Sequence, residues 1–172
     1  MNWMNIITQH WVEAVMAATI GMTAVILGLV LSGKSLRRLR ASQYFFGFVL
    51  MCYLFFLGIA TGILGTHDFS LEIFRERPFN LMPFERFVME QGLLNVLLFL
   101  PLGLLLPLVF LPLKRRAWGK VLLASFGVSL LVELMQLFHV WRAFDINDLM
   151  ANTLGGLLGY GVYLLLARLF KR

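Results

Sequence analysis

Long apolar stretches broken by short polar ones dominate the chain. Runs of about 20 apolar residues, the length that crosses a hydrocarbon core of roughly 30 Å, lie at Trp11–Leu31, Tyr44–Leu64, Leu93–Leu113, Trp118–Phe138 and Ala151–Leu169. The pattern predicts an all-α integral membrane protein, a bundle of five transmembrane helices forming a single membrane domain over residues 1–172. The first run is not expected to be a cleaved signal, because no Lys or Arg precedes Lys34 to form a basic n-region.

Composition narrows the class. Of 172 residues, 60% are hydrophobic and 14% charged, with mean hydropathy +0.83. A soluble domain is nearer roughly 45–50% apolar and 25% charged. A single cysteine, Cys52, excludes a disulfide framework and cysteine-based metal clusters.

The net charge of +6 reads as a topology signal. Eleven cations fall on one side if all five runs span: Lys34, Arg37, Arg38, Arg40, Lys114, Arg115, Arg116, Lys120, Arg168, Lys171 and Arg172. Arg75, Arg77, Arg86 and Arg142 are the four on the other side. The split predicts the N-terminus outside and the C-terminus inside. The basic runs hug helix ends with little aromatic content, so nucleic-acid binding is not expected.

Small residues predict close helix contacts: Gly58-x3-Gly62 on the second run, and Ala151, Gly155 and Gly159 on the fifth, which turns Asn152 inward. Pro101, Pro107 and Pro112 should kink or break the third run. The outer segment Gly65–Gly92 interleaves charges with Phe74, Phe79, Phe84 and Phe87, and reads as an interfacial helix or a re-entrant lid on the outer leaflet.

Polar groups within the membrane need partners or a function. At 100° per residue, Ser125, Ser129, Glu133 and Gln136 share an arc of roughly 80° and form one inward stripe, with Glu133 in the outer third of the bilayer. Asn95, Asn152 and the segment Arg142–Asp148 are expected at the same depth. Two readings stay open. In one, a structural network pairs Glu133 with Arg142 or Arg86, while Asp148 caps the last helix. In the other, the set forms a ligand or catalytic site: Asn95, Glu133, Gln136, Arg142, Asp145, Asp148, Asn152 and Arg86 bind, and Glu133, Asp145 or Asp148 are the catalytic candidates.

No cofactor is expected. Asp145, Asp148, Glu133 and Asn152 offer oxygen ligands suited at most to a hard divalent cation, without a tight carboxylate motif. His10, His67 and His139 are scattered near interfaces, and no nucleophile elbow, zinc helix or phosphate loop occurs.

Several of these residues form an ordered pattern. Asn95-x3-Phe99-x-Pro101-x-Gly103, Glu133-x2-Gln136 and Arg142-x2-Asp145-x2-Asp148-x3-Asn152-x2-Gly155, preceded by Asn80-Leu-Met-Pro83-Phe84, resemble the VanZ-like family over residues 80–159. The resemblance implies a small bacterial inner-membrane protein of a family whose named member is associated with low-level resistance to the glycopeptide teicoplanin. It implies no particular reaction. Three functions are compatible with it: binding a cell-wall precursor lipid or lipoglycopeptide at the outer leaflet, intramembrane catalysis on a polyprenyl-phosphate or phospholipid head group, and transport. The last ranks lowest, because no internal repeat is visible and the polar set lies near one face.

Overall fold

A computed structural model describes residues 41–63, 79–85, 88–110, 117–137 and 143–170. Among them the chain is helical, with four helices: α1 (Ala41–Ala60), α2 (Met89–Val109), α3 (Trp118–Gln136) and α4 (Ile146–Leu169). Each is long and apolar enough to cross a membrane, so this is a membrane protein with several spans. The first run, the Arg75–Arg77 stretch, Arg86, Arg142, Pro112, the three histidines and most of the cations that set the predicted orientation lie outside the described residues.

The chain divides into two compact units, Met1–Gly65 and Thr66–Arg172. In the first, Gly62 belongs to no helix face. It takes φ 75° and donates its N–H to Ile59 O at 2.9 Å, ending α1 in the left-handed conformation open to glycine. Thr61 Oγ1 donates to Leu57 O at 2.8 Å and closes the last turn.

In the second unit α4 is the central element, packed extensively on α2 and less so on α3. Glycines set the α2–α4 spacing. A Cβ on Gly155 would strike the carbonyl oxygen of Val96, one on Gly159 that of Leu100, and one on Gly103 that of Gly156. These pairs advance together along both helices, so α2 and α4 run parallel. Backbone-to-backbone contact of this kind is the main source of helix adhesion where lipid is as apolar as the side chains.

Helix α3 runs antiparallel to α4. Ser125 packs on Gly156, and at the other end Tyr160 meets Trp118 edge-on at 4.8 Å. The Tyr160 ring is fully buried, and its hydroxyl accepts from Ala117 N–H at 3.0 Å, satisfying a donor at the start of α3.

Six helix ends differ from the apolar runs, and those of α2 and the start of α4 bear on the site. Helix α2 begins at Met89, ahead of Leu93, since Gly92 N–H already bonds Val88 O at 3.0 Å. It ends at Val109 and passes through Pro101 and Pro107 without a break. Two missing donors are tolerated because α4 holds the helix along its length. Helix α4 begins at Ile146, ahead of Ala151, because Asp145 caps it. Apolarity marks what lies in lipid, whereas hydrogen bonding decides what is helical.

Candidate functional site

The candidate site lies where α4 starts and α3 ends. Asp145 has extended backbone angles, and its Oδ1 accepts from Asn147 N–H at 2.8 Å, the usual geometry of an N-cap. The cap is thus Asp145 and not Asp148, which sits in the first turn of α4, where negative charge complements the helix dipole.

From α3, Glu133 reaches the same point. Its side chain is 1% exposed, and Oε2 accepts from Asp145 N–H at 3.0 Å. Ser125, Ser129 and Gln136, the rest of the stripe, are buried with it. Ser129 Oγ donates to Leu149 O at 3.4 Å and Thr153 Oγ1 to the same carbonyl at 2.7 Å, tying α3 to the first turns of α4.

The segment 79–85 completes the site from 65 residues away. Asn80 forms an isolated parallel bridge with Asp145: its N–H donates to Phe144 O and its carbonyl accepts from Ile146 N–H, both at 3.0 Å. Its side-chain Nδ2 donates to Asp145 Oδ2 and to Glu85 O, each at 3.1 Å. Asn147 closes the clasp. Its Oδ1 accepts from Phe84 N–H at 2.7 Å, and its Nδ2 donates to Glu85 O at 3.1 Å. Phe79 rests on Phe144 with ring centroids 6.2 Å apart.

The expected polar residues therefore occupy two levels. Glu133 and Asp145 belong to the ring at the start of α4 with Asn80, Asn147 and the carbonyl of Glu85. Asn152 lies seven residues further along α4, roughly 10 Å deeper at 1.5 Å per residue. There Asn152 Oδ1 and Ser125 Oγ are buried and have no hydrogen-bond partner among the described residues. Asn95, half-buried, precedes the Val96 carbonyl that seats Gly155, which puts it on α2 at this second level. Gln136 and Asp148 are both partnered. Arg86 and Arg142 lie outside the described residues.

Sequence reasoning overlooked Asn147, and it placed Asn80 in a motif without a role. The signal for Asn80 was the short Asn-Leu-Met-Pro-Phe motif itself. Nothing local distinguished Asn147, whose partners lie 62 and 63 residues away.

Chemically, Glu133 and Asp145 act here as hydrogen-bond acceptors for N–H groups of the chain. Among the described residues, no three His, Cys, Asp or Glu side chains come together to hold a metal ion.

The sequence model described as VanZ/LLP1 matches residues 43–168. Protein VanZ of Enterococcus faecium is 33% identical over 91 residues, covering 52% of this chain and 55% of that protein. The match thus spans about half the length of that relative. No solved structure matches.

Proposed function

The chain belongs to the VanZ/LLP1 family, and from that premise we propose that it is a multi-pass protein of the bacterial inner membrane that lowers sensitivity to teicoplanin-type glycopeptides. It does so by binding an amphiphile at the outer leaflet, either a lipid-linked cell-wall precursor or the lipoglycopeptide itself. The polar end of the bundle takes the head group and the apolar helix faces take the acyl chain. In this reading five helices span, with the N-terminus outside, and Arg86 and Arg142 supply positive charge to an anionic head group.

The observation that carries the reading is a juxtaposition. A hydrogen-bonded polar ring (Asn80, Glu133, Asp145, Asn147) sits at one end of three spanning helices, beside a turn that exposes Phe79, Leu81, Met82 and Phe84. Polar and apolar surfaces meeting at a membrane boundary complement an amphiphile. Binding fits better than turnover, because Glu133 and Asp145 already accept N–H groups of the protein.

Mass spectrometry of lipids retained through detergent purification tests the reading. Enrichment of one anionic lipid class over its share of the host membrane is expected, together with reduced teicoplanin susceptibility on expression. Retention in proportion to the bulk membrane, with unchanged susceptibility, overturns it.

A further inference from the structure

The clasp at the start of α4 presents an apolar surface that the polar ring does not itself use. Leu81, Met82 and Phe84 are exposed, Phe84 by 72%, and Phe79 is half-open beside them. A contiguous cluster of large apolar side chains is unfavourable in water and marks an interaction surface.

The backbone that presents it is held in place by two asparagines. Phe84 has φ 66°, the left-handed region that a bulky side chain rarely enters and that persists only where surroundings enforce it. Asn147 enforces it by accepting from Phe84 N–H at 2.7 Å and donating to Glu85 O at 3.1 Å, while Asn80 donates to the same carbonyl at 3.1 Å. Asn147 is buried, so an amide on α4 fixes an outward-facing ring on a segment over 60 residues away in the chain.

Depth identifies the partner. The Asn80 carbonyl bonds Ile146 N–H, so the turn sits level with the first residue of a membrane-spanning helix. Glu85 precedes Met89 at the start of α2 by four residues, at most roughly 13 Å of extended chain. That level is roughly 7–8 Å from Ala151, where the apolar run of α4 starts, so the apolar medium within reach is the interfacial region of the bilayer. We propose that the turn Phe79–Glu85 is a wedge seated in the lipid of the leaflet where α2 and α4 begin, with Asn80 and Asn147 as its positioning residues. The wedge needs no bound ligand, so it goes beyond amphiphile capture and fails separately from it.

Collision-accessibility spectroscopy with nitroxide labels tests the proposal. Labels go on Met82→Cys and, separately, Phe84→Cys in a Cys52→Ser background, with the full chain in phosphatidylcholine–phosphatidylglycerol vesicles. Both labels should collide more with oxygen, which concentrates in lipid, than with a water-soluble nickel chelate. Adding Asn147→Ala, or Asn80→Ala as the second variant, should lower that ratio severalfold at both positions while helical circular dichroism is retained. Nickel-dominated collisions at both positions overturn the proposal in favour of a wet turn. Low accessibility to both reagents overturns it in favour of a protein contact. A ratio unmoved by both asparagine variants removes the positioning role. Selective lipid retention alongside a wet turn leaves the amphiphile reading standing and this one refuted.

Discussion

Glu133 on α3 accepts the main-chain N–H of Asp145, the N-cap of α4, at 3.0 Å. In a capping box, that orphan donor is satisfied by a Glu three residues into the same helix. Here a neighbouring helix supplies the carboxylate, so the end of α3 and the start of α4 are specified together.

Glu133→Ala leaves the Asp145 N–H unpaired in a partly buried position, which costs about 1 kcal/mol or more. A clear fall in melting temperature is expected in detergent. Glu133→Gln keeps an oxygen acceptor and the side-chain volume, so it should recover most of the loss. Equal destabilisation by both variants would show that the negative charge, rather than the acceptor, holds the ring.

The α2–α4 contact separates two kinds of glycine. Gly103→Ala, Gly155→Ala and Gly159→Ala each drive a methyl into a backbone carbonyl and should destabilise by at least about 1–3 kcal/mol. Gly47, Gly119 and Gly127 have open space where a Cβ would stand. Alanine at those three helical positions should be neutral or stabilising by up to about 1 kcal/mol. Thermal denaturation of the six variants reads this directly, and similar effects in both groups would refute the packing.

Tyr160→Phe removes the buried hydroxyl that accepts from Ala117 N–H. A loss of about 1–3 kcal/mol follows from the orphaned donor. Because the ring is retained, its edge-on contact with Trp118 should persist, and near-ultraviolet circular dichroism should change little. A stability equal to that of the parent would mean the hydrogen bond contributes nothing.

Asp145→Asn keeps an oxygen to cap Asn147 N–H but turns an amide nitrogen toward Asn80 Nδ2. Asp145→Ala loses both contacts, and the cap alone is worth about 0.5–2 kcal/mol. In a double-mutant cycle, Asp145→Asn and Asn80→Ala should couple, whereas strict additivity would break the link between the turn and α4.

The proposed orientation has its own test. In a Cys52→Ser background, Asp68→Cys should react with an impermeant thiol reagent in intact cells and Leu36→Cys should not. The opposite pattern would place the polar ring on the cytoplasmic side.

Local regularities in the chain determined its membrane character, the helical spans from Tyr44 onward, the inward face Ser125–Ser129–Glu133–Gln136 and the small-residue ladder Gly155–Gly159. Each is a matter of composition or of spacing along one helix, and the energetics of lipid and of 100° periodicity act on a single segment at a time. Where α2 and α4 begin, which aspartate caps, and that Asn95 and Asn152 lie deeper than Asp145 were decided by the tertiary structure. So was the clasp of Asn80 and Asn147 on the turn 79–85. The clasp depends on hydrogen bonds that join residues 62 to 65 positions apart, and the seat of Glu133 on one that joins residues 12 apart. A polar side chain in sequence declares only that it needs a partner, and which donor meets which acceptor is settled when glycine contacts bring α2 and α4 together and Ser125 packs α3 against Gly156.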